Sequence, residues 1–218
     1  MKNSTKLQIG IIGVVVLAVA GVVTSVALNQ PQPAAVAEGQ AGPAVVAENS
    51  HRLDVADDSA VTFTEFVDFE CEVCGAVYPF VEELREDYAG EVTFVTRYFP
   101  LPGHFNSRTA AIAVEAAAQQ GQFEGMYHRM FQTQAEWGEQ RVSKADLFRQ
   151  YANDLGLDMD AYDRAVADPE TEARVQFDFD AATALGATGT PTIFINDEYI
   201  PLSSPEDIRA ALDEAIAD

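Results

Sequence analysis

The chain has two cysteines, Cys71 and Cys74, and only Glu72 and Val73 separate them. A thiol pair at this spacing can close a disulfide across the first turn of a helix, which places the first sulfur at the helix N-terminus. The free N–H groups and the positive end of the helix dipole favour a thiolate there, and the thiolate is the nucleophile of thiol–disulfide exchange. The spacing therefore predicts a redox-active pair.

Two other interpretations of this pair compete with redox chemistry. A structural zinc site usually needs four Cys or His ligands, but the sequence has no second cysteine pair. Its three histidines, His51, His104 and His128, are widely scattered, so no metal is expected. A purely structural disulfide would gain little entropy by closing so short a loop. Redox chemistry is the favoured interpretation.

A strand is predicted immediately before the cysteines, over Val61–Phe69. Alternation along this strand places Glu65 on an otherwise apolar face. If that face meets the core, burial raises the pKa of Glu65 and suits its carboxyl to proton transfer beneath the helix that begins near Cys71. The alternative is that the face is partly solvated at a sheet edge.

A helix and a second strand are predicted after the cysteines, over Val73–Tyr88 and Glu91–Phe99. The helix has an apolar stripe at helical spacing, and Pro79 is expected to kink it. Strand, helix and strand together form a βαβ unit, whose crossover is right-handed.

This stretch resembles the active-site unit of the thioredoxin superfamily. The shared features are an acidic residue six positions before the first cysteine, C-x-x-C opening a helix, and Pro79 five positions after Cys74. The resemblance implies that Cys71 attacks, that Cys74 resolves the mixed disulfide, and that Glu65 is the buried acid. It implies no cofactor.

A downstream segment matches the cis-proline loop of the same superfamily. Thr190-Pro191 precedes a predicted strand over Thr192–Asn196. The resemblance implies that this loop lies against the disulfide and that Thr190 and Pro191 bind the backbone of the substrate.

About 90 residues lie between Pro100 and Thr190, and their pattern is helical. This arrangement is similar to the DsbA-like branch, in which a helical domain is inserted into the thioredoxin fold. The run Phe99-Pro100-Leu101-Pro102 followed by His104 is also similar to that branch. We interpret His104 as a cap or turn residue, with a place at the active-site rim as the alternative.

The N-terminal part of the chain has the composition of a membrane anchor. Residues 7–28 are uncharged and mostly apolar, which is long enough to span a bilayer, and Lys2 and Lys6 before them predict a cytoplasmic N-terminus. A cleaved signal peptide with its site at Ser25-Val26-Ala27 is the alternative.

The predicted fold class is α/β: a thioredoxin fold with an inserted helical domain, after one transmembrane helix and a flexible linker. We divide the chain into a cytoplasmic N-terminus (1–6), an anchor (7–28), a linker (29–57), the first part of the thioredoxin fold (58–102), the inserted domain (103–186) and the second part of the thioredoxin fold (187–218).

Charge restricts the partners of the chain. Its net charge is −22, and all 35 acidic residues follow the apolar segment, together with 11 of the 13 basic residues, so the exported part carries about −24. Such a surface repels nucleic acid and anionic lipid headgroups. Nucleic-acid binding is therefore not expected.

The sequence thus predicts an extracytoplasmic, membrane-anchored thiol–disulfide oxidoreductase. Its expected partners are exported cysteine-containing proteins and a membrane redox partner. Glu72 disfavours a thiolate at Cys71 whereas the helix terminus favours it, and the sequence does not rank these effects. An oxidase is the first expectation, from the DsbA-like architecture. A reductase or isomerase is the second, and a non-catalytic binding module with a structural disulfide is the third.

Overall fold

The computed structural model describes residues 43–56 and 61–217. The described strands are β1 (His51–Asp54), β2 (Thr62–Val67), β3 (Thr93–Tyr98), β4 (Thr192–Ile195) and β5 (Glu198–Ile200). The described helices are α1 (Glu72–Asp87), α2 (Ser107–Ala118), α3 (Phe123–Gln132), α4 (Gln134–Trp137), α5 (Ala145–Asp154), α6 (Met159–Ala167), α7 (Pro169–Ala184) and α8 (Pro205–Ala217). The predicted N-terminus 1–6 and anchor 7–28 lie outside the described residues. Within the described ranges, no helix is long and apolar enough to cross a membrane.

The described strands form one sheet in the order β1-β3-β2-β4-β5. β2 and β3 are parallel and α1 connects them, which confirms the predicted βαβ unit. β4 pairs antiparallel with β2, and β1 and β5 form the two edges. α1 continues through Pro79 as one helix. The α/β thioredoxin-like fold with a helical insertion is confirmed.

Both faces of the sheet are covered, because the central strands are apolar on both sides. One face packs Phe63 and Phe94 against Val81 and Leu84 of α1 and against residues of α8. On the other face, Phe66 packs with residues of α7 and with Val45 of the segment that precedes β1, residues 43–50, which we call the N-terminal segment. β2 is therefore an interior strand of a three-layer structure.

β1 is a correction to the predicted linker 29–57. His51–Asp54 pairs antiparallel with β3, so the end of that range belongs to the folded domain. His51, to which the sequence assigns no role, stacks on Phe123 at 4.0 Å and lies 2.7 Å from a Glu115 carboxylate oxygen. A four-residue polar strand at a sheet edge has too little apolar alternation to be recognised in the sequence.

The insertion between β3 and β4 is helical, as predicted for 103–186, and a buried ion pair joins it to the sheet. Asp178 of α7 and Arg97 of β3 are both fully buried. One carboxylate oxygen of Asp178 lies 2.8 Å from Nε and 2.7 Å from Nη2 of Arg97. Arg97 also donates to the backbone oxygens of Ala44 and Val45, at 2.8 and 3.0 Å. One guanidinium therefore connects the sheet, the insertion and the N-terminal segment.

Candidate active site

The two cysteines lie at the start of α1. Cys71 is the N-cap residue, and its carbonyl accepts the first helical hydrogen bond from Gly75, at 3.0 Å. Both side chains are free thiols, and they are 5% and 1% exposed. The sulfur of Cys71 thus occupies the helix end that stabilises negative charge, as the spacing predicts.

The Thr190-Pro191 loop meets Cys71. The peptide bond between Thr190 and Pro191 is cis, as expected from the resemblance, and Cys71 Sγ donates to the carbonyl oxygen of Thr190 at 3.5 Å. Pairing of β4 with β2 sets Thr192 opposite Phe66, which brings the loop to the end of β2 that leads into the cysteines. The predicted approach of two segments distant in sequence is confirmed.

The pKa of Cys71 is lowered to about 5. The largest cause is the hydrogen bond from the Cys74 side chain, and hydrogen bonds from the Thr190 side chain and from the backbone N–H groups of Cys74 and Val73 act in the same direction. These contacts outweigh burial, which raises the pKa. Glu72 is exposed, so water screens its carboxylate. The helix-end contacts therefore prevail over Glu72.

Cys74 has the opposite environment. Burial raises the pKa of its thiol well above the ordinary value, and its hydrogen bond to Cys71 and the charge of Glu65 act in the same direction. One sulfur of the pair is therefore prepared as a nucleophile and leaving group, while the other retains its proton.

Glu65 is buried beneath α1, with 3% of its surface exposed. Its strand lies between β3 and β4, so the prediction of a buried face is confirmed and the sheet-edge alternative is wrong. Burial raises the pKa of Glu65 to about 8, and the charges of Glu82 and Cys71 contribute. A carboxyl that titrates near neutral pH beside a protonated thiol can exchange a proton with it.

A family comparison agrees with this geometry. The family model described as Thioredoxin matches residues 56–214, which include both cysteines, Glu65 and the cis-proline loop. The chain belongs to the thioredoxin family.

Several solved structures are similar to most of this thioredoxin-family chain. A thioredoxin-like oxidoreductase from Silicibacter pomeroyi DSS-3 is 26% identical, covers 81% of this chain and 97% of its own, and has a TM-score of 0.67. BdbD from Bacillus subtilis, in its oxidised form, is 21% identical with a TM-score of 0.71 and covers 81% of this chain and 98% of its own. A third is the thiol-disulfide exchange protein alpha-DsbA2 from Wolbachia pipientis, which is 20% identical with a TM-score of 0.61. It covers 74% of this chain and 84% of its own. The structural neighbours thus include DsbA-like thiol–disulfide oxidoreductases.

Curated relatives match a shorter part of the chain. A protein named Na(+)/H(+) antiporter NhaA 3 from Salinispora tropica is 41% identical over 140 residues, and one named NhaA 1 from Mycolicibacterium gilvum is 35% identical over 144 residues. Each match covers 64% of this chain but 20% and 22% of those relatives. The chain thus spans about a fifth of the length of these relatives, and their name describes the whole of those proteins.

A glutamine from the insertion completes the active-site loop of this thioredoxin-family fold. Gln134, the first residue of α4, donates from Nε2 to the carbonyl oxygens of Phe69 and Cys71, each at 2.8 Å. Its Oε1 lies only 2.0 Å from where a Cβ on Gly75 would be. Sequence reasoning missed Gln134, although a glycine directly after the second cysteine was a signal that something packs closely there.

His104 lies at the active-site rim, which is the alternative that the sequence leaves open. Its Nδ1 is 2.6 Å from Oδ2 of Asp68, a buried residue three positions before Cys71. Burial lowers the pKa of His104, but the hydrogen bond and charge of Asp68 outweigh it, with a smaller contribution from Cys71, so the pKa is raised.

His128 is half-buried on α3 and lies 2.8 Å from the Tyr78 hydroxyl, away from the described contacts of Cys71.

Replacing Glu65 with glutamine should change two pH profiles in different ways. The rate of exchange should fall on the order of 10–100-fold near pH 8, because the carboxyl that exchanges a proton with Cys74 is lost. The free energy of unfolding should rise by about 3 kcal/mol at pH 7, since the unfolded carboxyl ionises near its ordinary pKa whereas the buried one retains its proton up to about pH 8. This gain is absent below pH 4 and grows with pH up to the folded pKa. Stopped-flow rates and urea unfolding from pH 4 to 9 measure both.

Glu82→Gln is the matched control for this variant. It removes a neighbouring charge that raises the pKa of Glu65, so it should shift the midpoint of the rate profile to lower pH and leave the carboxyl in place. Identical rate profiles for wild type and Glu65→Gln would contradict the role of Glu65 in proton transfer.

Gln134→Ala should slow alkylation of Cys71 and raise the pKa of its thiol. The variant loses the two hydrogen bonds through which Gln134 holds the carbonyl groups of the loop, each worth about 1 kcal/mol. We expect the rate of alkylation to be roughly three- to tenfold lower. Absorbance of the thiolate at 240 nm against pH measures the pKa directly. A change in stability alone would not move this readout.

Gly75→Ala gives an independent route to the same result. The added methyl group should displace the Gln134 carboxamide, so Gly75→Ala should reproduce the Gln134→Ala phenotype and add little to it in the double variant. Gln132→Ala, at an exposed position on α3, is the control and should leave the thiolate pKa unchanged. Fully additive effects of the Gly75 and Gln134 changes would refute this positioning role.

Proposed function

We propose that the chain is an extracytoplasmic protein thiol–disulfide oxidoreductase that acts as an oxidase. The observation that carries the proposal is the position of Cys71 at the N-terminus of α1, in contact with the carbonyl oxygen of Thr190 next to a cis-proline. The general class is supported by the family and by structural neighbours that are oxidoreductases.

The proposed reaction begins with the Cys71–Cys74 disulfide. A substrate thiolate attacks Sγ of Cys71, a mixed disulfide forms, and Cys74 leaves as a thiolate that takes a proton from Glu65. A second substrate thiolate then attacks the substrate sulfur of the mixed disulfide and displaces Cys71 as a thiolate. The two substrate thiolates have given up two electrons and become a disulfide. The enzyme has gained those electrons as the Cys71 thiolate and the Cys74 thiol, and the Glu65 carboxylate regains its proton from solvent.

The contacts of Cys71 favour this direction. Its sulfur is the leaving group of the second step, and hydrogen bonds from Cys74 and the backbone of α1 stabilise it as a thiolate. An enzyme whose reduced form is stabilised in this way is a stronger oxidant. A membrane redox partner would then remove the two electrons and restore the disulfide.

Substrate binding is assigned to the cis-proline loop. The substrate backbone would pair beside Thr190 and Pro191, next to the sulfur it must reach. Val73, between the two cysteines in sequence, is 48% exposed and offers an apolar contact to a substrate. The substrates proposed are exported proteins with reduced cysteines.

Residues 7–28 are proposed to anchor the domain in the cell membrane, with the cysteines outside the cytoplasm, where disulfide chemistry is expected. The test is alkaline carbonate extraction of membranes from cells that express the full chain, combined with protease access from outside. Release of the intact chain into the soluble fraction would overturn the anchor.

Equilibration with glutathione tests the direction of electron flow. The full-length protein in detergent is incubated across a series of reduced-to-oxidised glutathione ratios, and its free thiols are counted at equilibrium. We expect half-reduction at a potential well above that of cytosolic thioredoxin. We also expect the protein to refold reduced ribonuclease faster than the reaction without enzyme. A potential near that of thioredoxin, with efficient insulin reduction, would support a reductase instead.

A further inference from the structure

A small cavity at the active-site rim holds an unusual group of side chains. The cavity has a volume of about 240 Å³ and is formed by the loop before α2 and the loop after α4, with Glu70 at its wall. His104 and Glu139 line it from these two loops. Glu72, from within the C-x-x-C motif, lies at the same place.

Three of these side chains have the spacing of metal ligands. Glu72, His104 and Glu139 each present one ligand atom, and all three atoms lie within 4.8 Å of one another. Nε2 of His104 is 3.9 Å from a carboxylate oxygen of Glu139, which is too far for a hydrogen bond. Zinc lies about 2.0–2.2 Å from nitrogen and carboxylate ligands, so an ion can bridge atoms at this separation.

The imidazole of His104 is oriented as metal-binding histidines are. Nδ1 contacts Oδ2 of Asp68, which also accepts a hydrogen bond from the backbone N–H of Leu101 at 3.0 Å. The buried carboxylate accepts the Nδ1 proton, so in the neutral imidazole the lone pair is on Nε2, which lies 3.9 Å from Glu139. A carboxylate that fixes the tautomer of a ligand histidine is a recurring feature of metal sites.

Glu70 supplies a second, independent observation. It is 1% exposed and lines the cavity, and its Oε1 has no hydrogen-bond partner among the described residues, whereas its Oε2 accepts from the backbone N–H of Asn106. A buried carboxylate oxygen without a donor is costly unless a cation or a bound water satisfies it. Arg141 also lines the cavity.

We propose that Glu72, His104 and Glu139 bind a divalent transition-metal ion, with the buried carboxyl group of Glu70 as a neighbour and water completing the coordination. One imidazole nitrogen with carboxylate oxygens suits zinc and similar ions better than calcium or magnesium, which prefer ligand sets made of oxygen alone. The site uses neither cysteine, so it is distinct from a C-x-x-C zinc site. It also stands independently of the proposed direction of electron flow.

The consequence of the site is local control of the motif. A cation held by Glu72 would neutralise the one carboxylate between the two cysteines and would tie the start of α1 to the loop at Glu139. Metal supply would then modulate the approach of substrate to Cys71.

Zinc titration of the oxidised full-length protein in detergent tests the proposal. The disulfide removes both thiols as ligands, and a chromophoric chelator that competes for zinc reports the affinity. We expect one zinc ion per chain, at least tenfold weaker binding in Glu139→Gln and in His104→Asn, and at least tenfold weaker binding of calcium than of zinc.

Glu136→Gln is the matched control, because Glu136 is an exposed carboxylate on the adjacent helix α4. It should bind zinc as tightly as the wild type. Glu139 is also exposed, so its variant should keep the wild-type circular dichroism spectrum and melting temperature. Absence of one-to-one binding in the oxidised protein, or equal affinity in wild type and Glu139→Gln, would overturn the site.

Discussion

Replacing Cys71 with serine should lower thiol–disulfide exchange activity by about a thousandfold or more. The serine hydroxyl can form neither the mixed disulfide nor a stable anion at neutral pH. By contrast, the pKa of Cys71 is lowered to about 5, so at pH 7 its thiolate outnumbers its thiol by about a hundredfold. Oxidative refolding of reduced ribonuclease and reduction of insulin, each with the full-length chain, measure the loss.

Cys74→Ser is the companion variant, and its expected result differs. The Cys71 thiolate of this variant can still attack a substrate disulfide, but no Cys74 thiol is present to displace the substrate, so covalent enzyme–substrate complexes should accumulate on non-reducing gels. Because Cys74 provides the largest contribution to the lowered pKa of Cys71, thiolate absorbance at 240 nm should also titrate at higher pH in this variant. Exchange activity that survives Cys71→Ser would defeat the enzymatic assignment and favour a static binding module.

The largest effect on stability is expected at Asp178. Its carboxylate interacts with the guanidinium of Arg97, with Nη1 of Arg174 at 2.7 Å, and with the backbone N–H of Tyr98 at 3.1 Å. Asp178→Ala leaves the fully buried charge of Arg97 without a counter-ion, which should lower the free energy of unfolding by about 3–5 kcal/mol. Urea unfolding followed by circular dichroism measures this.

Two further variants separate the ion pair from general effects on α7. Asp180→Asn changes an exposed carboxylate two residues away and should alter stability by no more than about 0.5 kcal/mol. Arg97→Met combined with Asp178→Leu removes both buried charges and should recover much of the loss. A small effect of Asp178→Ala, equal to that of Asp180→Asn, would show that the pair does not hold the insertion to the sheet.

The elements that a sequence can predict here depend on short-range patterns. The C-x-x-C spacing, the alternation that buries Glu65, and the apolar stripe of α1 each lie within a few residues, and the structure confirms where they lie. Thr190 and Pro191 were accessible only through resemblance to a family, because nothing local in their sequence shows that a loop 119 residues away meets Cys71.

The features that the sequence does not predict are long-range polar contacts. β1 is too short and polar to show a periodic pattern, and Gln134 is one of several glutamines in a helical region. The Arg97–Asp178 pair joins two apolar elements at positions where a charge would ordinarily indicate exposure. These features depend on the partner that the fold supplies, so they become visible only when the elements are placed in space.

Gln134 bears on attempts to shorten this protein. An engineer who excised the helices between β3 and the Pro191 loop would hope to obtain a minimal redox domain, since both cysteines and the cis-proline would remain. That trimmed version would also discard the carboxamide that binds the carbonyl groups of Phe69 and Cys71. A working miniature would need a replacement donor over Gly75, because the insertion supplies the side chain that holds the loop around Cys71.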